Sequence, residues 1–431
     1  MKEREIHKRA NLFLLTWKGV RGGLFLFLYF SCLTVLAQRH EIFNPRIASL
    51  QVMAGDDWLT LPVTMIGGDP IYIDFDDKTH EYHRYTYTLE HCEADWTTSE
   101  EIFTSDFCEG FVEGNTIDDL EESLNTNQLY THYSLQLPNP KCRFKLSGNY
   151  RVTVYDENND NEKMFSACFM VVEPLMGVSL AMTTNTDGDI NGRHQQIAMQ
   201  VRYGNVTVTD PMRQLTTVVM QNGRWDNAVW NAKPQYVMHD GLRWDHCRDY
   251  IFDGGNEYRK FETLDVNHTT LGLERIRWDG NEYHAYVWTD EPRPSYVYDE
   301  DANGAFYIRN SDNIENNRIS EYLRVHFAMK SPQLDGKVYV NGNWTNDWLT
   351  PEYELDYNEQ TKCYETALQL KQGYYSYQYL LVTPDGRTMP APTEGNFFQT
   401  ENQYQALVYY KETGGRTDRL VGYGEIRRLK N

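Results

Sequence analysis

Most of the short patterns that carry chemistry are missing from these 431 residues. There is no C-x-x-C or H-E-x-x-H spacing to gather a zinc ion, no G-x-S-x-G elbow, no P-loop and no G-x-G-x-x-G turn. His80, His83, His91, His246 and His268 are scattered and read as surface or loop residues. Cysteine is sparse: Cys32 sits in the N-terminal region, and Cys92, Cys108, Cys142, Cys168, Cys247 and Cys363 follow over nearly 400 residues. That density is far below a disulfide scaffold. Cys92 with Cys108, or Cys142 with Cys168, could bridge, and buried free thiols explain the same residues equally well. Long apolar runs are also lacking beyond the N-terminus, so no later segment is expected to span a membrane. Paired carboxylates remain a conceivable acid and base, but sequence does not show their separation.

The N-terminus differs from the rest. Lys2, Arg4, Lys8, Arg9, Lys18 and Arg21 precede an apolar run, residues 24–37, that ends in Val35-Leu36-Ala37 before Gln38. A basic region, a run of about 14 residues and small residues before the cut describe a cleaved secretory signal over residues 1–37. The alternatives are an uncleaved anchor or, more weakly, a lipoprotein through Cys32. Loss of this segment takes away six basic and two acidic side chains, so a formal charge of -21 becomes about -25. Nucleic acid and anionic lipid are poor partners for such a surface, and no direct membrane insertion is expected after cleavage. Solubility alone also explains the acidity.

What the sequence does have is aromatic residues: 31 Tyr, 18 Phe and 10 Trp. These favour pleated, half-buried surfaces. Period-two bursts such as Ile71-Tyr72-Ile73-Asp74-Phe75, Tyr85-Thr86-Tyr87-Thr88-Leu89 and Tyr150-Arg151-Val152-Thr153-Val154 read as strands with one wet face. The predicted fold is all-β, in tandem immunoglobulin-like β-sandwich domains with only short peripheral helices. A first sandwich is expected over residues 38–173, closing at Glu173-Pro174, where proline suits a linker. A second is expected over 174–321, a third over 322–412, and a C-terminal tail over 413–431.

Two acidic turns partly match a calcium loop. Asp187-Gly188-Asp189-Ile190-Asn191-Gly192 opens like an EF-hand loop, yet its twelfth position is Ala198 where a bidentate Glu is needed. Asp299-Glu300-Asp301-Ala302-Asn303-Gly304 repeats the theme and reaches Asn310 at that position. Both read as tight acidic turns. No cofactor and no metal are expected, and no catalytic residue is assigned.

The first module holds a series of uncommon words in order: His91-Cys92-Glu93-Ala94-Asp95-Trp96, Glu109-Gly110-Phe111, Ser123-Leu124-Asn125-Thr126, Tyr130-Thr131-His132-Tyr133, Leu137-Pro138-Asn139 and Ser147-Gly148-Asn149-Tyr150. The series closely resembles the N-terminal domain of the type IX secretion system Plug family of Bacteroidetes. The turn at 298–304, with Ala302 where Ile is expected, and Val338-Tyr339-Val340-Asn341-Gly342-Asn343-Trp344 with the 373–379 run resemble that family's later modules.

The resemblance implies a periplasmic protein associated with the outer membrane. It would bind the giant outer-membrane translocon barrel and close its periplasmic mouth, a steric task that needs no cofactor and no turnover. The family words themselves read as cores and turns: Trp96 and Tyr133 as buried aromatics, Asn125 as a loop cap, Gly148-Asn149 as a hairpin turn. Trp225, Trp230 and Trp244 are candidates for partner anchors, with core packing the competing reading. The second functional expectation, from a different class, is a carbohydrate-binding envelope protein. In it Asn341-Gly342-Asn343-Trp344 and the run 374–379 would mark an immunoglobulin-like module of the kind whose aromatic platforms stack on sugar rings.

Overall fold

The computed structural model describes residues 40–427. The signal segment 1–37 and Cys32 lie outside the described residues. The fold is all-β, and its helices are single turns such as Thr104–Phe107, Pro211–Gln214 and Asn316–Ile319.

The first sandwich follows directly from alternation. One sheet orders Glu41–Ile42, Glu162–Val172, Gly148–Asp156, Tyr85–Cys92 and Asn115–Thr116, with Val63–Met65 joining Glu162–Val172 in parallel. The facing sheet orders Ile47–Ala54, Ile71–Asp77, Thr131–Leu137 and Asp119–Glu122. Ile71, Ile73 and Phe75 meet Tyr85, Tyr87, Leu89, Val152 and Val154 in one buried cluster, while the intervening Tyr72, Asp74, Thr86 and Thr88 are only partly covered. Stacked rings fix the centre, Phe75 on Tyr133 at 5.3 Å and Tyr150 on Phe169 at 5.6 Å.

Beyond residue 173 the boundaries predicted from sequence need correction. The second sandwich is built from two separated pieces of chain. Its outer sheet orders Gly177–Thr183, His194–Arg202, Gly241–Trp244 and Tyr236–Met238. Its other sheet orders Val229–Trp230, Leu215–Gln221, Gln403–Tyr410 and Arg419–Arg427. The segment 403–410, expected in the third module, therefore pairs with Leu215–Gln221 from Leu215↔Tyr410 to Gln221↔Tyr404. The expected tail 413–431 supplies the last strand, Arg419–Arg427. The third module starts well before residue 322. Arg259–Glu262, Leu273–Trp278, Tyr283–Val287 and Phe306–Ile308 all pair into the sheet that holds Tyr322–Lys330, Cys363–Lys371 and Gly373–Val382. Periodicity identifies a strand and its wet face but does not name the strand beside it.

Strands Leu215–Gln221 and Gln403–Tyr410 are covered on both faces. Val219, Ala406 and Val408 pack inward against Ile197, Met199 and Trp244. The residues between them, Val218, Met220, Leu407 and Tyr409, pack outward against Cys168, Met170 and Val172 of the first sandwich. Four sheets thus stack in series, which is why residues 403–410 carry no exposed position.

Candidate functional site

The family words converge on two joints, one to each of the other modules. At the first, the turn after Tyr85–Cys92 is closed by Glu93 N–H donating to the Thr97 carbonyl at 2.8 Å. Trp96 takes a left-handed backbone there (φ 68°) and is buried edge-on against Trp225 at 5.7 Å. Exposed Asp95 accepts from the Thr97 amide and hydroxyl at 3.0 and 2.6 Å, a capped turn.

The opposite side of this joint comes from the expected tail. Thr417 Oγ1 donates to Glu93 at 2.7 Å, Asp418 N–H to Glu93 at 2.9 Å, and Ala94 N–H to Asp418 at 3.0 Å. Asn149, fully buried, donates to the carbonyls of Glu93 and Ala94 at 2.9 and 3.3 Å and accepts from Tyr409 Oη at 2.8 Å. Cys92 lies in the same apolar layer, and burial pushes its thiol up to about 12.

His91 and Gly148 interlock beneath this joint. Expected at the surface or in a loop, His91 is instead a buried strand residue. Its imidazole bridges Ser99 Oγ at 2.9 Å and the Ser147 carbonyl at 3.1 Å, and burial lowers its pKa. A Cβ on Gly148 would stand 2.2 Å from His91 Nε2. Gly148→Ala is therefore expected to lower stability by about 1–3 kcal/mol, the range for an overpacked core. Chemical denaturation of the two proteins side by side checks it.

The second joint is a buried charge. Asp76 receives Lys371 Nζ at 2.6 Å, Tyr322 Oη at 2.7 Å and His132 Nδ1 at 2.7 Å. Both ions are enclosed, and Lys371 also donates to the Asn317 carbonyl at 2.7 Å and sits 4.0 Å from the Tyr130 ring centroid. Burial pulls the Asp76 carboxyl up, and Lys371 with His132 outweighs it, so its pKa is lowered. Burial likewise lowers that of Lys371. Around this ion pair Tyr130 Oη donates to the Ser320 carbonyl at 2.8 Å, Leu124 N–H to the Arg318 carbonyl at 2.8 Å, and the Asn127 and Gln128 amides to Glu321. Asn125 makes this possible with a left-handed turn (φ 60°), and Thr126 follows it with a buried hydroxyl.

The remaining family residues stay inside the first module. Tyr133 Oη binds the backbone of His83, and Tyr150 Oη donates to the Leu146 carbonyl at 2.6 Å. Pro138 follows a cis bond, and Asn139 Oδ1 accepts from the Lys141 and Cys142 amides at 2.9 and 3.0 Å. Gly110 passes so close to the Lys141 carbonyl that a Cβ would be 2.1 Å from its oxygen, whereas Phe111 is 73 % exposed.

Residues 47–173, which contain all of these words, match the family described as type 9 secretion system plug protein 1st domain. The chain resembles the plug family, and its first domain belongs to it. A hypothetical protein from Parabacteroides merdae, known from a crystal structure, shares 38 % identity. The match covers 90 % of this chain and 99 % of that one at a TM-score of 0.87, so the two belong to one family across the described modules. An Enterococcal surface protein N-terminal region aligns over 90 % of this chain and 95 % of its own at 6 % identity and a TM-score of 0.18, too low to bear on the fold. No curated protein matches. The plug-domain match ends where the first sandwich closes, so every family word assigned here to a joint lies within it.

The other residues singled out from the sequence are mostly packed in cores or turns, Trp225 and Trp230 against the first joint. Trp244 is fully buried with its Nε1–H on the Ala232 carbonyl at 2.7 Å, and Trp225 and Trp230 pack on each other at 6.1 Å. Trp344, Tyr375, Tyr377 and Tyr379 are core residues of the third module, and the half-buried Tyr374 packs edge-on against Trp58 at 6.0 Å. In the acidic turns Asp187 binds Gln196 and His246, Asp189 binds the Arg193 amide and His194, and Asp301 accepts the Asn303 amide. Asp76, Lys371, Tyr322, Thr417 and Asp418 belong to no motif and escape a reading of the sequence. One signal was available: Asp76-Asp77 places two acids in succession at the end of an alternating apolar strand.

Proposed function

We propose that this chain is a non-catalytic periplasmic plug that binds the outer-membrane translocon barrel of the type IX secretion system and closes its periplasmic mouth. A role associated with type 9 secretion at the cell envelope follows from the first domain. The finer reading is supported by one observation above all. Family residues Asn149 and Tyr130 tie the first module to the other two through buried bonds, as a body that must hold its form under contact requires. Opening the pore would then be an equilibrium between plugged and released states, shifted by cargo or by the partner.

The test is co-purification. An affinity-tagged full chain recovered from detergent-solubilised outer membrane is expected to bring down a very large β-barrel protein, identified by mass spectrometry. Recovery of no barrel protein above the untagged control overturns the reading.

A further inference from the structure

Strands Cys108–Gly110 and Cys142–Phe144 form a separate antiparallel pair beside the first sandwich, with Cys142 opposite Gly110 and Phe144 opposite Cys108. Across this ladder the two sulfur atoms lie 2.9 Å apart. A disulfide bond is about 2.05 Å long, so bonding asks for a movement of under about 1 Å. The strands approach that closely because Gly110 has no Cβ to meet the Lys141 carbonyl. Both cysteines are buried against Phe107, Phe144 and Tyr150, so the pair is held by packed neighbours.

We propose that Cys108 and Cys142 are a disulfide-forming pair that closes a covalent loop over residues 109–141. The chemistry balances with a disulfide donor, such as oxidised glutathione or an oxidised dithiol protein. The Cys108 thiolate attacks one donor sulfur and expels the first donor thiolate. Cys142 then loses its proton and attacks the Cys108 sulfur, expelling the second. One protein dithiol and one donor disulfide become one protein disulfide and two donor thiols. The hydrogen bond with Cys142 lowers the pKa of the Cys108 thiol, the direction that favours Cys108 as the first thiolate. Cys92 and Cys168, by contrast, are pushed up to about 12 by burial and are poor competitors.

The closed loop contains the Leu124, Asn127 and Tyr130 contacts to the third module, so the bond would tether that grip to the first sandwich. Its occurrence in the cell rests on export to an oxidising compartment, while the reactivity of the pair does not.

The test uses the purified full chain, first reduced and then incubated with oxidised glutathione, denatured and alkylated. Two fewer alkylated cysteines than in the reduced control are expected, with peptide mapping joining residues 108 and 142. Cys108→Ser or Cys142→Ser should each abolish the loss. The oxidised chain should melt higher by about 5 °C, from the smaller conformational freedom of a cross-linked unfolded state. An unchanged thiol count, or a bridge mapped to Cys92 or Cys168, overturns the proposal. Should the purified chain cross-link while chain isolated from cells keeps both thiols, the pair stands and the proposed location falls.

Discussion

Lys371→Met is expected to destabilise the chain by about 3–5 kcal/mol at pH 7, because it strips the enclosed Asp76 carboxylate of its lysine partner. The pH dependence follows from the same pair. Asp76 has a lowered pKa in the folded chain, so the stability it contributes is complete above its ordinary value of 3.8 and is lost as pH falls through the folded value. Without Lys371 the enclosed carboxyl instead holds a proton more readily than the unfolded chain does. The deficit of the variant should therefore be greatest near pH 7 and shrink towards pH 4, by at most about 1.4 kcal/mol per pH unit. Urea denaturation of both proteins at pH 7 and pH 4.5 checks this. A deficit that is the same at both values would mean that the salt bridge is not its source. Asp76→Asn in the same chain should recover part of the loss at pH 7, since it removes the stranded charge.

Asn149→Ala attacks the other joint. It removes two donors to the Glu93 and Ala94 carbonyls and the acceptor of the Tyr409 hydroxyl, all in a dry layer between sheets. A buried polar group left without a partner costs about 1–3 kcal/mol, so a loss of about 2–4 kcal/mol is expected. Location distinguishes this from general weakening. Amide hydrogen exchange should rise first in strands Gln403–Tyr410 and Arg419–Arg427, and least in the third module. Faster exchange beginning in Gly373–Val382 would count against the joint.

How much of this could be read from the residues varies by level. The first sandwich was legible, because Ile71-Tyr72-Ile73 and Tyr85-Thr86-Tyr87 each show one covered and one wetter face, and Pro174 stops the ladder. The interleaving of the second and third modules was not. Ala406 to Tyr410 is apolar on both faces, and such a run announces a doubly covered strand without naming its neighbours. The family words were legible as cores and turns for Trp96, Tyr133, Asn125 and Gly148. Their role as joints was hidden, since the partners of Asn149 and Tyr130 are 260 and 190 residues away in the chain. Lys371 was hidden for a different reason: a lysine on a strand is ordinarily on the wet side, and only the distant Asp76 makes its enclosure tolerable. The cysteines show the same limit: of the two readings, bridged pairs or buried thiols, the second holds for all six described cysteines, and the ladder brings Cys108, not Cys168, to Cys142.

The return of the chain after the third module sets an order of events for a ribosome or a translocon feeding the polypeptide out from its N-terminus. The first sandwich has all its strands once residue 172 has emerged. The second module, begun at Gly177, has to wait with an unfinished sheet edge for Gln403–Tyr410 and Arg419–Arg427, so it closes only once residue 427 has emerged. During that interval the edge of Leu215–Gln221 that pairs with Gln403–Tyr410 has no partner, and a chain cut short before residue 403 would keep that edge open for good.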